Sequence, residues 1–338
     1  MKYIAALLFP ATLALLLAAP VHALPAQFPE LNGFIDEMVD KHQFQRDALH
    51  ALFAQARHQP EIIELMTRPA ERRPWHDYRP IFLTEQRIRG GVEFIQEHQD
   101  LLARAEQEYG VPPHVITAII GVETFYGRHK GRHRVIDALT TLGFDYPPRA
   151  TFFRGQLEQF LLMSREEQRD PLAFVGSYAG AMGMPQFIPS SFRAYAVDFD
   201  GDGRRDLWDN HADIIGSVAN YFAEHRWQPG QPVVARATLS GAEPQALIAK
   251  GVRPSIAQSE LKAHGINTQV DLPADAQLAL IALDRSPEEK EYWLAMHNFY
   301  VITRYNRSQL YAMAVHQLSE AIRSAHATQQ RRSAAGNS

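Results

Sequence analysis

Ile116, Ile119 and Ile120 stand seven, four and three residues before Glu123, the spacing that puts all four side chains on one face of a helix. A helix with such a face folds only against a hydrophobic interior, and it takes its terminal carboxyl there with it. A carboxyl in that position is ordinarily paired with an arginine, because charged side chains are seldom fully buried alone. Left unpaired, it is disfavoured in its charged form, its pKa rises, and it can hold a proton near neutral pH for a leaving group. Glu123 is therefore the candidate general acid.

The surrounding pattern is mostly helical. An amphipathic run from Leu31 to Gln55 predicts one long helix, and a shorter one covers Glu61 to Thr67, ending before Pro69. Gln86 to Tyr109 predicts another, closed by Gly110, and Pro112-Pro113 opens the helix that carries Glu123. Val135 to Leu142 and Arg149 to Arg165 follow, parted by Tyr146-Pro147-Pro148. Beyond Arg226 the texture changes. Val233 to Leu239 and Leu278 to Leu283 predict strands, with helical Ser255 to Ala263 between them. Asn298 to Thr303, β-branched and aromatic, predicts a further strand, Ser308 to Ser324 a helix, and the polar end from Thr328 a frayed tail. The expected fold class is mainly α with a smaller α+β part.

The first residues look like an export signal. Lys2 precedes an apolar run from Ile4 to Ala19, then Val21-His22-Ala23 supplies small residues of the kind signal peptidase reads. Pro10 interrupts the run and no stop-transfer charges follow, so residues 1–23 are expected to be removed rather than to span a bilayer. With 46% hydrophobic and 21% charged residues the 338-residue chain is of ordinary globular composition. A net charge of -4 without a dense basic block excludes a nucleic-acid footprint. The absence of cysteine excludes disulfides, thiolate metal sites, a cysteine nucleophile and a lipid-modified cysteine at the signal junction. A soluble periplasmic protein without a lipid anchor is expected. Among fifteen histidines, His129 and His133 are four apart, but Gly127 and Gly131 make that segment a loop and no carboxylate accompanies them.

Two constellations carry further chemistry. In Ser177-Tyr178-Ala179-Gly180-Ala181-Met182-Gly183-Met184-Pro185-Gln186-Phe187-Ile188-Pro189-Ser190-Ser191 the small residues let something approach the backbone closely. Composition leaves two readings open: a sugar-binding cleft, with Ser177, Tyr178 and Gln186 offering hydrogen bonds, or a segment packed tightly against the protein itself. The second constellation runs from Asp198 to Asp209. Counting Asp198 as position one, Asp200, Asp202, Asp206 and Asp209 fall at three, five, nine and twelve and Gly203 at six, which is the spacing of an EF-hand calcium loop. The seventh-position carbonyl would come from Arg204. Position twelve is Asp where the standard loop has Glu, so bidentate reach is shortened there.

Gly121-Val122-Glu123-Thr124-Phe125-Tyr126-Gly127, the Ser177 to Ser191 segment, the Asp-rich loop and Asn298-Phe299-Tyr300-Val301-Ile302-Thr303-Arg304-Tyr305-Asn306 together resemble the lytic murein transglycosylase B family, from about Phe34 to Leu318. The resemblance implies a lysozyme-like helical core containing an EF-hand-type calcium loop, an extra helical domain and a small β-containing domain. On this basis the expected organisation is a signal peptide at 1–23, a helical region at 24–110, a catalytic core at 111–228 with the calcium loop at 198–209, and a mixed α/β region at 229–295. A strand and helix at 296–326 would complete the cleft, and 327–338 would be a frayed tail.

The implied reaction is cleavage of the β-1,4 bond between N-acetylmuramic acid and N-acetylglucosamine in peptidoglycan, without water, leaving a 1,6-anhydro sugar. Resemblance gives Glu123 the roles of acid and then base. It implies that Ser177 hydrogen-bonds the acid or the N-acetyl group, that Gln186 holds the sugar, and that Tyr78, Tyr221, Tyr305, Asn306 and Tyr311 line the cleft. Arg149 would meet peptide carboxylates, although the family often has paired arginines at that turn and Pro148 breaks the pair here. Calcium is the implied structural ion, with no organic cofactor. Peptidoglycan strands, and other cell-wall enzymes, are the expected partners. A muramidase that uses water and a silent peptidoglycan-binding scaffold are the competing readings.

Overall fold

The computed structural model describes residues 28–67, 73–273 and 275–336. The expected signal peptide at 1–23 lies outside them. They form two units that part between Arg57 and His58.

In the first unit the apolar run from Leu31 to Gln55 is two helices, α1 (Glu30–His42) and α2 (Arg46–Gln55), rather than one. Gln43 ends α1 with a left-handed backbone, φ 58, which lets its N–H and that of Phe44 reach the carbonyls of Val39 and Met38. Capping the last carbonyls in this way stops a helix whatever the periodicity beyond it. Leu31, Phe34, Ile35 and Met38 of α1 and Leu49 and Phe53 of α2 are buried, the rings of Phe34 and Phe53 meeting edge to face.

The second unit is mostly helical. It begins with α3 (Pro60–Thr67), α4 (Trp75–Phe82), α5 (Glu85–Glu97), α6 (Gln99–Tyr109) and α7 (Pro113–Thr124). The single helix predicted for Gln86 to Tyr109 is broken at His98, and α4 was not anticipated because Pro80 lies inside it. Every residue of α7 from Val115 to Val122 is buried, so this helix is enclosed on all sides rather than on one face. α15 (Gln309–Gly336), α5, α6 and α11 (His211–Glu224) pack around it. Between them come a two-stranded ladder of β1 (His133–Arg134) with β2 (Val175–Gly176), the helices α8 (Val135–Asp145) and α9 (Ala150–Glu166), and α10 (Pro189–Tyr195).

A five-stranded antiparallel sheet has the order β4-β6-β7-β3-β5, from β3 (Val234–Leu239), β4 (Ile256–Ala257), β5 (Ile266–Asn267), β6 (Gln277–Asp284) and β7 (Lys290–Ala295), with short α12 (Gln245–Ile248) and α13 (Gln258–Ala263) alongside. Ala279, Ile281 and Leu283 of β6 join the core around α7, while Leu278 and Leu280 join a second core with Leu247, Ile256, Leu261 and Leu294. Alternate side chains of a strand point to opposite faces, so burial on both explains the unbroken apolar run. β7 escaped sequence reading because it opens Lys290-Glu291.

Residues Asn298 to Thr303 are not a strand. They lie in α14 (His297–Tyr305), where Asn298, Phe299, Val301 and Ile302 are all buried. Strand propensity of β-branched residues is a packing preference, and burial at this spacing overrides it. Asn298 also binds the carbonyls of Gln228 and Gln231 through Nδ2 and the N–H of Gln228 through Oδ1. The tail differs too, since α15 continues to Gly336 where fraying was expected from 327. No helix among the described residues is long and apolar enough to cross a membrane.

Candidate active site

Glu123 stands one residue before the end of α7 and keeps partial exposure, while Val122 and Thr124 beside it are buried. Burial pushes its carboxyl up to about 7, against a hydrogen bond from Tyr311 that pulls the other way. Tyr311 Oη donates to Glu123 Oε1 at 2.5 Å across 188 residues of sequence, because α15 packs along α7. Tyr78 on α4 and Tyr305 at the end of α14 also feel this carboxylate, and both phenols are raised, mainly by burial. Among the described residues the groups coupled to Glu123 are tyrosines, and no second carboxylate acts on it. Among the described residues no arginine acts on it either, so the arginine-paired alternative finds no support there.

The Ser177 to Ser191 segment reaches the same place. Thr124 Oγ1 donates to Met184 O at 3.1 Å and Tyr305 Oη to Pro185 O at 2.7 Å, tying the segment to both ends of the site. Its glycines serve the protein rather than a ligand. A Cβ on Gly180 would meet the Leu139 side chain at 2.5 Å, and one on Gly183 the carbonyl oxygen of Leu207 at 2.3 Å. Of the two open readings for these small residues, close packing is the one the structure bears. Ser177 Oγ accepts from the N–H of Ala179 and of Ala181, which leaves its hydroxyl hydrogen to donate. Gln186 is left-handed, φ 53, and its amide donates to the carbonyls of Gly183 and Lys130.

Tyr221 lies behind Tyr305, ring centroids 4.7 Å apart, with its hydroxyl on Arg304 O, and its phenol is not among those that feel Glu123. Asn306 is exposed just past α14. Arg149 is exposed in a short 3-10 turn, its guanidinium against the rings of Phe152 and Phe153, and nothing connects it to Glu123. Cavity size does not find this site: spaces of about 850 Å³ beside Trp75, Arg79 and Trp293 and about 630 Å³ beside Gln231, Arg253 and Tyr300 both omit Glu123.

The Asp-rich loop is coiled by left-handed Gly201 and Gly203 and by Asp198, whose carboxylate accepts from the N–H groups of Gly201, Asp202 and Gly203. Asp198, Asp200 and Asp202 each offer an oxygen, all within 4.8 Å of one another. Three hard oxygen donors so placed fit a calcium-class ion. Asp206 and Asp209 do not join them. Asp206 accepts from the N–H of Trp208 and Asp209, and Asp209 pairs with Lys130 at 2.9 Å. Arg204 donates its N–H to Asp202. Sequence reading missed Asp213, buried in the first turn of α11, which receives the N–H groups of Phe199 and Asp206 and so clamps the loop at two points. Burial raises its carboxyl to about 6. An acid followed at once by Ile214 and Ile215 near the start of a helix was the available signal.

The tyrosine contact gives a test with a definite sign. Because the Tyr311 hydrogen bond favours the carboxylate, Tyr311→Phe is expected to move the Glu123 titration, followed by carbon-13 NMR of the carboxyl, to higher pH. A titration that stays put or falls would show that the bond does not stabilise the charged form.

Comparisons with known proteins agree on one group. Residues 27–320 match the family model described as the transglycosylase SLT domain. The chain is 46% identical over 307 residues, 88% of its length and 83% of the relative's, to the membrane-bound lytic murein transglycosylase B of Escherichia coli strain K12. It is similar to the crystal structure of soluble lytic transglycosylase SltB1 from Pseudomonas aeruginosa, with a TM-score of 0.85 and 50% identity, covering 88% of this chain and 100% of that one. It is also similar to the Escherichia coli lytic transglycosylase Slt35 in complex with calcium, with a TM-score of 0.81 and 45% identity, over 90% and 95% of the two chains.

Proposed function

The chain belongs to the transglycosylase SLT domain family, and from that premise we propose how its residues divide the work. It is a lytic transglycosylase of peptidoglycan, cutting the β-1,4 bond between N-acetylmuramic acid and N-acetylglucosamine and closing a 1,6-anhydro ring. Protonated Glu123 gives its hydrogen to the glycosidic oxygen as the C1–O bond breaks. The sugar's own N-acetyl carbonyl shields the developing positive charge, and the Ser177 hydroxyl, free to donate, orients that group. Glu123, now a carboxylate, takes the proton of the 6-hydroxyl as its oxygen bonds C1. Acid and base are one residue used twice, and no water is consumed.

The supporting observation is a single desolvated carboxyl near pKa 7 among tyrosines. Most hydrolytic glycosidases use a second carboxyl, about 5 to 9.5 Å from the first. Among the described residues none acts on Glu123. Tyr78 and Tyr305, both half-buried, supply apolar ring faces suited to pyranose rings, while Tyr311, buried in the core, reaches the site through its hydroxyl on Glu123. Tyr221 backs them, Gln186 shapes the cleft edge, and Asn306 and Arg149 are proposed for more distant parts of a long substrate. Mass spectrometry of soluble products decides the reaction. Anhydro ends support it, and hydrated reducing ends would assign the chain to the muramidases.

In this reading the helices from α7 to α11 are a lysozyme-like core, the sheet region at 229–295 a small domain, and the helices before 111 an accessory region. The protein works in the periplasm once residues 1–23 are gone. Calcium, held by Asp198, Asp200 and Asp202, is a structural ion that fastens the loop to the base of α11. A ligand bound only by the folded state stabilises it by about 2.7 kcal/mol at a hundredfold excess over Kd. Chelation is therefore expected to lower Tm by several degrees, and Asp200→Asn to remove the difference. An unchanged midpoint, with no metal co-purifying, would count against the ion.

A further inference from the structure

The backbone beyond Glu123 takes an uncommon course. Phe125 and Tyr126 are consecutive left-handed residues, φ 53 and 57, and neither is glycine. Such conformations persist only where the surroundings over-determine them, and they gather at functional sites. The residue that holds them belongs to none of the motifs. From α5, Arg87 Nε donates to Gly121 O at 3.0 Å, and its guanidinium carbon lies 4.6 Å from the centre of the Phe125 ring. Its Nη1 donates to Ile81 O at 2.5 Å, fixing the other end of the group. The Arg87 carbonyl accepts from Tyr126 Oη at 2.7 Å. The Tyr126 ring fits because its neighbours lack side chains: a Cβ on Gly91 or Gly121 would come within 2.7 Å of its hydroxyl oxygen.

The guanidinium thus grips the chain two positions before Glu123 and two after it, while the Arg87 backbone carbonyl holds Tyr126, three after it. A guanidinium can do this because its planar fork donates in its own plane while its face stacks on a ring. Arg87 is half-buried, and its charge is not among the influences on Glu123, whose titration answers to burial and to Tyr311. Tyr78 and Tyr305 are the other groups facing that carboxyl. The contribution of Arg87 is geometric.

We propose that Arg87 is a positioning residue for the reaction, a strap across the turn at the end of α7 that keeps the Glu123 carboxyl aimed into its buried place beside Tyr311. The proposal rests on Glu123 being the acid. Loosening the strap lets the carboxyl drift and hydrate, which costs orientation and returns its titration toward that of an ordinary glutamate.

The test is steady-state kinetics of Arg87→Met and Arg87→Lys on soluble glycan strands over a range of pH, with rates scaled to the folded fraction measured by circular dichroism. Arg87→Met is expected to lose about 10- to 100-fold in kcat, with KM within about threefold. The high-pH limb of its profile moves to lower pH. Arg87→Lys does not restore the rate, because a point charge cannot both donate to Gly121 and stack on Phe125. A limb that stays in place, a loss wholly accounted for by unfolding, or full rescue by lysine would overturn the strap. Should the Arg87 variants not fold, Phe125→Leu carries the test, since it removes the nearer of the two rings against the guanidinium, Phe82 being the other, and leaves both guanidinium hydrogen bonds. A smaller shift of the limb in the same direction is expected, and a wild-type profile would overturn the proposal. Glu123→Gln run alongside separates the two claims. If it is inert while Arg87→Met has wild-type kcat and pH profile, only the strap is wrong; if it is fully active, the acid assignment has failed.

Discussion

Glu123→Gln is expected to release no measurable anhydromuropeptides from purified peptidoglycan, a fall of about 10³-fold or more, since removing a general acid costs 10²–10⁴-fold and here the same group is also the base. The amide nearly matches the carboxyl in volume and can still accept from Tyr311, so the fold should survive. It should in fact gain. The carboxyl titrates near 4.5 when exposed and near 7 in the fold. Between those values the folded state holds a proton that the unfolded chain has lost, so stability drains away as pH rises from the lower to the upper value and stays lost above it. Glutamine has nothing to deprotonate. The variant should therefore melt with the wild type at acid pH and above it at pH 8, by up to roughly 3 kcal/mol. Thermal melts at the two pH values check this, and a variant no more stable at pH 8 would mean that the carboxyl is not held at a cost. Full activity of Glu123→Gln would remove it from the mechanism altogether.

Gly183→Ala should be the most damaging small change in the site-forming segment. The backbone there has φ 67, and the added carbon would lie 2.3 Å from Leu207 O. That oxygen cannot withdraw freely, because it accepts the N–H of Met184 at 2.8 Å. Left-handed strain of about 1–2 kcal/mol and a backbone clash together predict a loss of about 3 kcal/mol or more. For a unit of this size the drop in Tm is about 6–12 °C. Gly155→Ala is the matched control. It lies within α9 with nothing inside 4 Å of its Cβ, and alanine there should add about 0.5–1 kcal/mol. Equal melting of Gly183→Ala and the wild type would show that the Leu207 strand of chain gives way.

These two positions differ in how far they could be read from the chain. Glu123 was legible because its signal is local: three isoleucines at helical spacing demand burial, and a carboxyl at the next such position inherits it. The clustering of Asp198, Asp200 and Asp202 was legible for the same reason, as their spacing is a property of one turn of chain, whereas Asp206 and Asp209 turn to other partners. Gly183 was visible as a glycine but not as to what comes close to it, since Leu207 is a neighbour only in space. Helix ends were misjudged where the apolar period ran through a cap, at Gln43 and His98, because the period reports what is buried and not where the chain reverses. Asn298 to Thr303 was misjudged as a strand because β-branched residues suit any close-packed surface.

The sequence by itself determined that a helix with an apolar face carries a carboxyl into the interior, that a small-residue segment and an acidic loop accompany it, and that the chain is mostly helical. Only the tertiary structure decided what that carboxyl meets. Tyr311, Tyr78, Tyr305 and the guanidinium of Arg87 come to the C-terminal end of α7 from four different elements, Tyr311 from 188 residues along the chain from Glu123. Periodicity is a record of each segment's own burial, whereas pKa, orientation and reactivity depend on which segments share that burial, and that is settled by packing.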